Sequence, residues 1–168
     1  GTIEFLGKNL TGLSARKKEE LRRYHMGFVF QSVALVPVMS AYENVDFALR
    51  LAGYKENRDK RIREVMDRVG LRASMNHMAN QLSGGEQQRV AIARAVAHRP
   101  EVIFAYEPTG ALDTAAGLAV MELFKELVRK EGATIVMTTH DPNLMELGDE
   151  VYEIADGEIT EHSRKEER

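Results

Sequence analysis

The run Leu82-Ser83-Gly84-Gly85-Glu86-Gln87-Gln88-Arg89 constrains this chain more than any other stretch. It sets a hydroxyl and two residues without side chains at the mouth of a helix that continues through Val90-Ala91-Ile92-Ala93-Arg94-Ala95. The first N–H groups of a helix have no partner inside it, and the aligned peptide dipoles make that end positive, so this start suits a phosphate. The alternative is that Ser83 merely caps a core helix. That alternative gives no reason for Gly-Gly followed by Glu-Gln-Gln-Arg.

Around this start, apolar runs alternate with helical stretches. Thr2 to Phe5 reads as a strand, with a turn at Gly7-Lys8-Asn9. Ala15 to Tyr24 reads as a charged helix and Gly27 to Phe30 as a short apolar strand. Pro37 then breaks the chain. Helices follow over Ala41 to Leu51 and Glu56 to Val69, the second with Ile62, Val65, Met66 and Val69 on one face. The helix from Gly84 runs to Ala97, Pro100 ends it, and Val102 to Ala105 is a strand. Beyond lie a helix over Ala115 to Lys130, a strand over Thr134 to Met137 and a helical turn after Pro142. Val151 to Ile154 is a strand, turned by Asp156-Gly157 into Glu158 to Thr160. The pattern predicts an α/β fold, a parallel sheet covered by helices on both faces. Residues 1–161 form one domain, and the charged tail 162–168 frays.

Composition excludes more than it selects. A net charge of −3 gives no reason to expect nucleic acid or an anionic surface as partner. Without cysteine there is neither a disulfide nor a thiolate metal site. The apolar run Val33 to Met39 is far too short to cross a bilayer, and no signal peptide is visible. A cytoplasmic protein is expected, so any membrane role comes through a partner.

Other stretches extend the pattern in a recognisable order. Together with the run at Leu82, they resemble the motifs of the ATP-binding-cassette (ABC) ATPases. Leu82 to Arg89 resembles the family's signature motif, and Gly27-Phe28-Val29-Phe30-Gln31 resembles its Q-loop. Val102 to Thr109 is similar to the Walker B strand and its exit, Gly110-Ala111-Leu112-Asp113 to the D-loop, and Thr138-Thr139-His140-Asp141 to the switch-histidine loop. The resemblance spans Gly1 to about Glu161. With Tyr42-Glu43-Asn44-Val45 and Pro108 to Asp113, it is strongest to the lipoprotein-release, macrolide-export and cell-division branch of bacterial ABC ATPases. It implies a P-loop NTPase-type parallel sheet with a helical signature subdomain at about 32–100. It also implies ATP and Mg²⁺ as cofactors. The partners implied are a membrane permease subunit and a second ABC ATPase subunit, with a peripheral position at the inner face of the cell membrane.

Phosphoryl transfer needs a phosphate cradle, Mg²⁺ on oxygen ligands and a group that positions water. By resemblance, Glu107 is the general base or water-orienting carboxylate; a solvated turn glutamate before Pro108 is the alternative. Gln31 would help hold Mg²⁺ and sense the membrane partner, and His140 would hydrogen-bond the γ-phosphate. Ser83, Gly84, Gly85 and Gln88 would close over ATP held by the other subunit. Asp113 would face that subunit, unless it simply caps the helix ahead of Ala115. His25, His77, His98 and His162 lack such support and read as surface or packing residues.

Two departures qualify the resemblance. No G-x-x-x-x-G-K-[ST] occurs among the 168 residues. At Gly7-Lys8, the nearest imitation, Gly1 lies one residue too far upstream and Asn9 replaces the hydroxyl. The family carries this loop upstream of the part that Gly1 to Phe5 resembles, so the resemblance implies a sequence incomplete at its N-terminus. A sheet without its first strands leaves an apolar face and an edge uncovered, which predicts self-association or repacking. Secondly, Tyr106 stands where the family has the aspartate that orders Mg²⁺, and a neutral phenol supplies no charge. A point substitution, a deliberate inactivation and decay of a lost site explain it equally well. The chain then reads as an ATPase subunit of a transporter that is inactive alone. The alternative is a non-catalytic protein that docks a membrane subunit through Gln31 to Arg50, with Val36, Pro37, Val38 and Met39 exposed, or lends its signature to an intact partner.

Overall fold

The computed structural model describes residues 1–110 and 112–165. They form two compact units, Gly1–Met137 and a second that begins at Thr138.

In the first unit, β1 (Glu4–Phe5) and β2 (Lys8–Asn9) form a small antiparallel hairpin that turns at Leu6 and Gly7. Lys8 and Asn9 are therefore strand, because the turn is already completed by two residues at positive φ, 49° and 69°. Helix α1 (Ala15–His25) leads into β3 (Met26–Val29). Strand β4 (Val102–Tyr106) runs parallel to β3, with Gly27 opposite Ile103 and Val29 opposite Ala105. On the far side of β4 lies β5 (Thr134–Thr138).

Parallel neighbours require a long crossover. Between β3 and β4 it consists of α2 (Ala41–Leu51), α3 (Arg58–Arg68), a 3-10 turn over Ala79–Gln81, and α4 (Gly84–Val96). Between β4 and β5 it is α5 (Thr114–Glu131). The apolar stripes of α2 to α4 meet in a closed core, where Val45, Leu49, Ile62, Val65, Met66, Val90 and Ile92 are fully buried.

The sheet departs from the expectation of cover on both faces. Alternation puts Gly27, Val29, Ile103 and Ala105 on one side, and all four are buried. On the other side, Phe28 stacks on Phe104 and on Phe30, with centroids 5.6 and 6.2 Å apart. Phe30 is 50% and Tyr106 57% exposed. Helix α4 packs on the glycine-bearing face, which leaves these aromatic rings open to solvent.

A buried ionic cluster ties the helices together. Arg61 is 2% exposed and donates to the Val96 and Ala97 carbonyls at the C-terminal end of α4, at 3.1 and 2.8 Å. Its remaining N–H groups reach Glu131 at 3.1 and 3.3 Å, and Arg68 binds the same carboxylate at 2.7 Å. Burial alone would raise the Glu131 pKa, but the two guanidinium groups outweigh it and hold the carboxyl below its ordinary value.

The second unit holds α6 (Pro142–Met145) and a hairpin of β6 (Glu150–Ala155) and β7 (Glu158–Arg164). It turns at Asp156-Gly157, both at positive φ, as such a dipeptide favours. Strand β7 continues through His162 to Arg164, where His162 stacks on Tyr152 at 4.2 Å and Arg164 meets Glu150 at 3.3 Å. The charged stretch is therefore paired up to Arg164 rather than frayed from residue 162. Among the described residues, no helix is long and apolar enough to cross a membrane.

Candidate functional site

Helix α4 begins as its sequence dictates. The Ser83 hydroxyl accepts from Glu86 N–H at 3.3 Å, and the Glu86 carboxylate accepts from Ser83 N–H at 2.9 Å. These bonds, foremost those from Ser83, hold the Glu86 carboxyl below its usual range. Ser83 and Gly84 are exposed, and a Cβ added at Gly84 would meet no atom within 4 Å. Capping and an open helix mouth thus coexist, so one role does not exclude the other. Replacing Ser83 with alanine removes the hydroxyl half of this capping box and keeps the Ser83 N–H bond to Glu86. It is expected to lower unfolding stability by about 1 kcal/mol in urea titrations. A change within error would show that the cap is dispensable.

Gln31 lies just past β3, and its carboxamide sits against the turn that follows β4. A Cβ at Gly110 would stand 3.1 Å from Gln31 Nε2, so a glycine is what lets them meet. The turn is closed by Gly110 N–H donating to the Glu107 carbonyl at 3.1 Å. Glu107 has φ of 45°, a strained conformation for a residue with a side chain, and such outliers cluster at functional positions. The fold thus brings Gln31 to the Glu107–Gly110 turn, which is far from it in sequence.

Other candidates lie differently. Gln88 departs most: it is 1% exposed, and its amide donates to the Phe30 and Pro108 carbonyls at 3.3 and 2.9 Å. It faces the interior, because its place in the first turns of α4 points it at β3 and β4 rather than at the helix mouth. Asp113 is exposed and caps α5, accepting from Ala116 N–H at 2.9 Å. His140 belongs to the second unit, two residues past β5; beside it, Asp141 N–H donates to the Thr139 hydroxyl at 3.1 Å.

The stretch after Gln31 is fastened from below. Arg94 of α4 donates to the Ala34 carbonyl. Asn44, 1% exposed, accepts from Val36 N–H at 2.8 Å and donates towards the Val36, Met39 and Ser40 carbonyls. Asn44 draws Val36 and Met39 half under cover, so that of the four expected residues only Pro37 and Val38 stand exposed.

Magnesium takes a near-octahedral set of oxygens, usually with one or two carboxylates. The residue types on offer are the Gln31 amide and the Glu107 carboxylate, with a phenol at Tyr106 where resemblance called for a second carboxylate. Among the described residues, no three carboxylate or histidine groups converge as a metal site. These residues do not make a Mg²⁺ site by themselves, so Gln31 is not a sufficient anchor for the ion.

Comparison with known proteins shows the family. Residues 1–110 match the ABC transporter family. The chain is 42% identical over 162 residues to the ABC transporter ATP-binding protein MJ1508 of Methanocaldococcus jannaschii, covering 96% of this chain and 72% of that protein. It is 47% identical over 154 residues to the macrolide export ATP-binding/permease protein MacB of Bartonella henselae, covering 91% of this chain but only 23% of MacB. Among solved structures, the dimeric ATP-binding cassette MJ0796 bound to ADP and Pi superposes with a TM-score of 0.89 at 37% identity, over 98% of this chain and 73% of that one.

Proposed function

Because this chain belongs to the ABC transporter family, among its ATP-binding proteins, we propose that it couples the ATP cycle to a membrane permease and supplies the signature half of a composite ATP site. The Ser83-Gly84-Gly85 mouth of α4, exposed at Ser83 and Gly84, carries this reading. It offers backbone N–H groups to a phosphate, while the 168 residues contain no phosphate cradle of the G-x-x-x-x-G-K-[ST] kind. A second ATPase subunit provides that cradle, and Asp113 faces it. On the same reading Glu107 positions the attacking water and His140 holds the γ-phosphate. Pro37 and Val38 meet the permease, which keeps the protein at the inner face of the membrane. The chain alone is catalytically silent.

The test combines binding and complementation. Labelled ATP with Mg²⁺ should show no saturable binding to the isolated chain below about 1 mM. Mixed with an intact cassette whose own signature serine is replaced by arginine, the chain should restore hydrolysis, and its Gly85→Arg variant should not. Tight binding or turnover by the chain alone would sink the claim of silence. Failure to restore hydrolysis would sink the claim of a lent signature. Tyr106 favours a second reading, a non-catalytic docking or regulatory protein. In that case the mixture forms a complex without gaining hydrolysis.

A further inference from the structure

Gln31 and the Glu107 turn are joined through the interior of α4. Three contacts along this helix reach the chain on either side of Gln31. Gln88 holds the Phe30 carbonyl at 3.3 Å, Arg94 holds the Ala34 carbonyl, and the Ala95 carbonyl lies against Gly27. The Gln88 amide also holds the Pro108 carbonyl at 2.9 Å, one residue past Glu107. One buried side chain therefore connects the signature helix to both candidate loops. Its two N–H bonds fix the orientation of the carboxamide, whose Oε1 is buried without a hydrogen-bond partner.

We infer that Gln88 is a positioning residue, and that with Arg94 it sets Gln31 and the Glu107–Gly110 turn relative to α4. The functional weight of this role rests on the reading of Gln31 and Glu107 given above; its geometry does not. A displacement of the open end of α4 would move Phe30 and Pro108 together, because both are bound to the same amide. Arg94 limits movement at the far end of the Gln31 segment alone. Gln87, the neighbouring residue, shows the contrast. Its amide donates at 2.9 and 3.1 Å to the Ala79 and Leu82 carbonyls, which lie in neither loop.

The isolated chain suffices for the test, with no nucleotide present, so the outcome is independent of whether the proposed ATP chemistry holds. Gln88→Met keeps the length of the side chain and removes its donors. Hydrogen exchange of backbone amides over Phe28–Leu35 and at Thr109 and Gly110 should speed up at least about tenfold, while α3 stays protected. The side-chain amide resonance of Gln31 should shift in the same variant. Gln87→Met should leave both loops and that resonance unchanged and loosen only the 3-10 turn. Arg94→Met should free the Gln31 segment while leaving the Glu107 turn protected; it decides the matter if Gln88→Met fails to fold. Uniform acceleration across the chain, the same pattern in Gln87→Met, or an unmoved Gln31 resonance in Gln88→Met would overturn the inference.

Discussion

Replacing Arg61 with methionine is expected to destabilise the chain by about 3 kcal/mol, the low end of the cost of breaking a buried pair, because Arg68 still holds Glu131 while the Val96 and Ala97 carbonyls lose a donor. The guanidinium is 2% exposed and serves three elements at once. It caps the last carbonyls of α4, fixes Glu131 at the end of α5, and anchors α3. Methionine fills much of the same volume, so the loss is electrostatic rather than a cavity. Since small domains are stable by only about 5–15 kcal/mol, the variant should unfold at much lower urea. Removing both partners, with Arg61→Met and Glu131→Met, should recover part of the loss, because the half-compensated Glu131 carboxylate is gone and Arg68 keeps Glu64 at 2.6 Å. A double variant weaker than Arg61→Met alone would contradict this. The pH dependence follows from the same carboxyl. Its folded pKa is depressed, so its contribution is present above the ordinary glutamate value near about 4.3 and is lost as pH falls through the folded value. In Arg61→Met the folded and unfolded pKa values approach each other, and stability should fall less steeply between pH of about 5 and 3.

The sequence was a good guide where local rules decide. Ser40, Ser83 and Asp113 cap helices at the residues where hydroxyl and carboxylate chemistry would begin them. The helix read over Ala41 to Leu51 has the observed limits of α2. It failed where tertiary contact decides. Nothing around Gln88 distinguishes an inward glutamine from one at the helix mouth, because the register of α4 against β3 is set by packing. Arg94 carried no signal beyond a basic residue in an alanine-rich helix, and Asn44 stood out only through resemblance. Tyr106 was legible as a chemical departure, whereas its exposure beside Phe104 needed the sheet. Gly27 did carry a signal that went unread, since a glycine inside an apolar strand marks the close approach of another backbone.

Gly27 is where that approach has the largest expected consequence. A Cβ at this position would stand 2.5 Å from the Ala95 carbonyl oxygen and 3.2 Å from Pro100 Cγ. A clashing side-chain tip could rotate away, but this oxygen belongs to the backbone of α4. Relief therefore requires moving the helix off the sheet or β3 out of register with β4. Overpacking of this kind costs about 1–3 kcal/mol and sometimes more, against which the entropy gained from the stiffer unfolded chain offsets only about 0.4–1 kcal/mol. Gly27→Ala is expected to lose about 2 kcal/mol on balance, a fall of roughly 1 M in the urea midpoint. It should also disturb Gln31, because Gly27 fixes the strand that delivers it. Gly84→Ala is the matching control. Its Cβ would meet nothing within 4 Å in the first turn of α4, so the same methyl group should leave stability unchanged or raise it by up to about 1 kcal/mol. If both variants unfold at the urea concentration of the parent chain, helix α4 does not rest on β3 as closely as its Ala95–Gly27 contact requires.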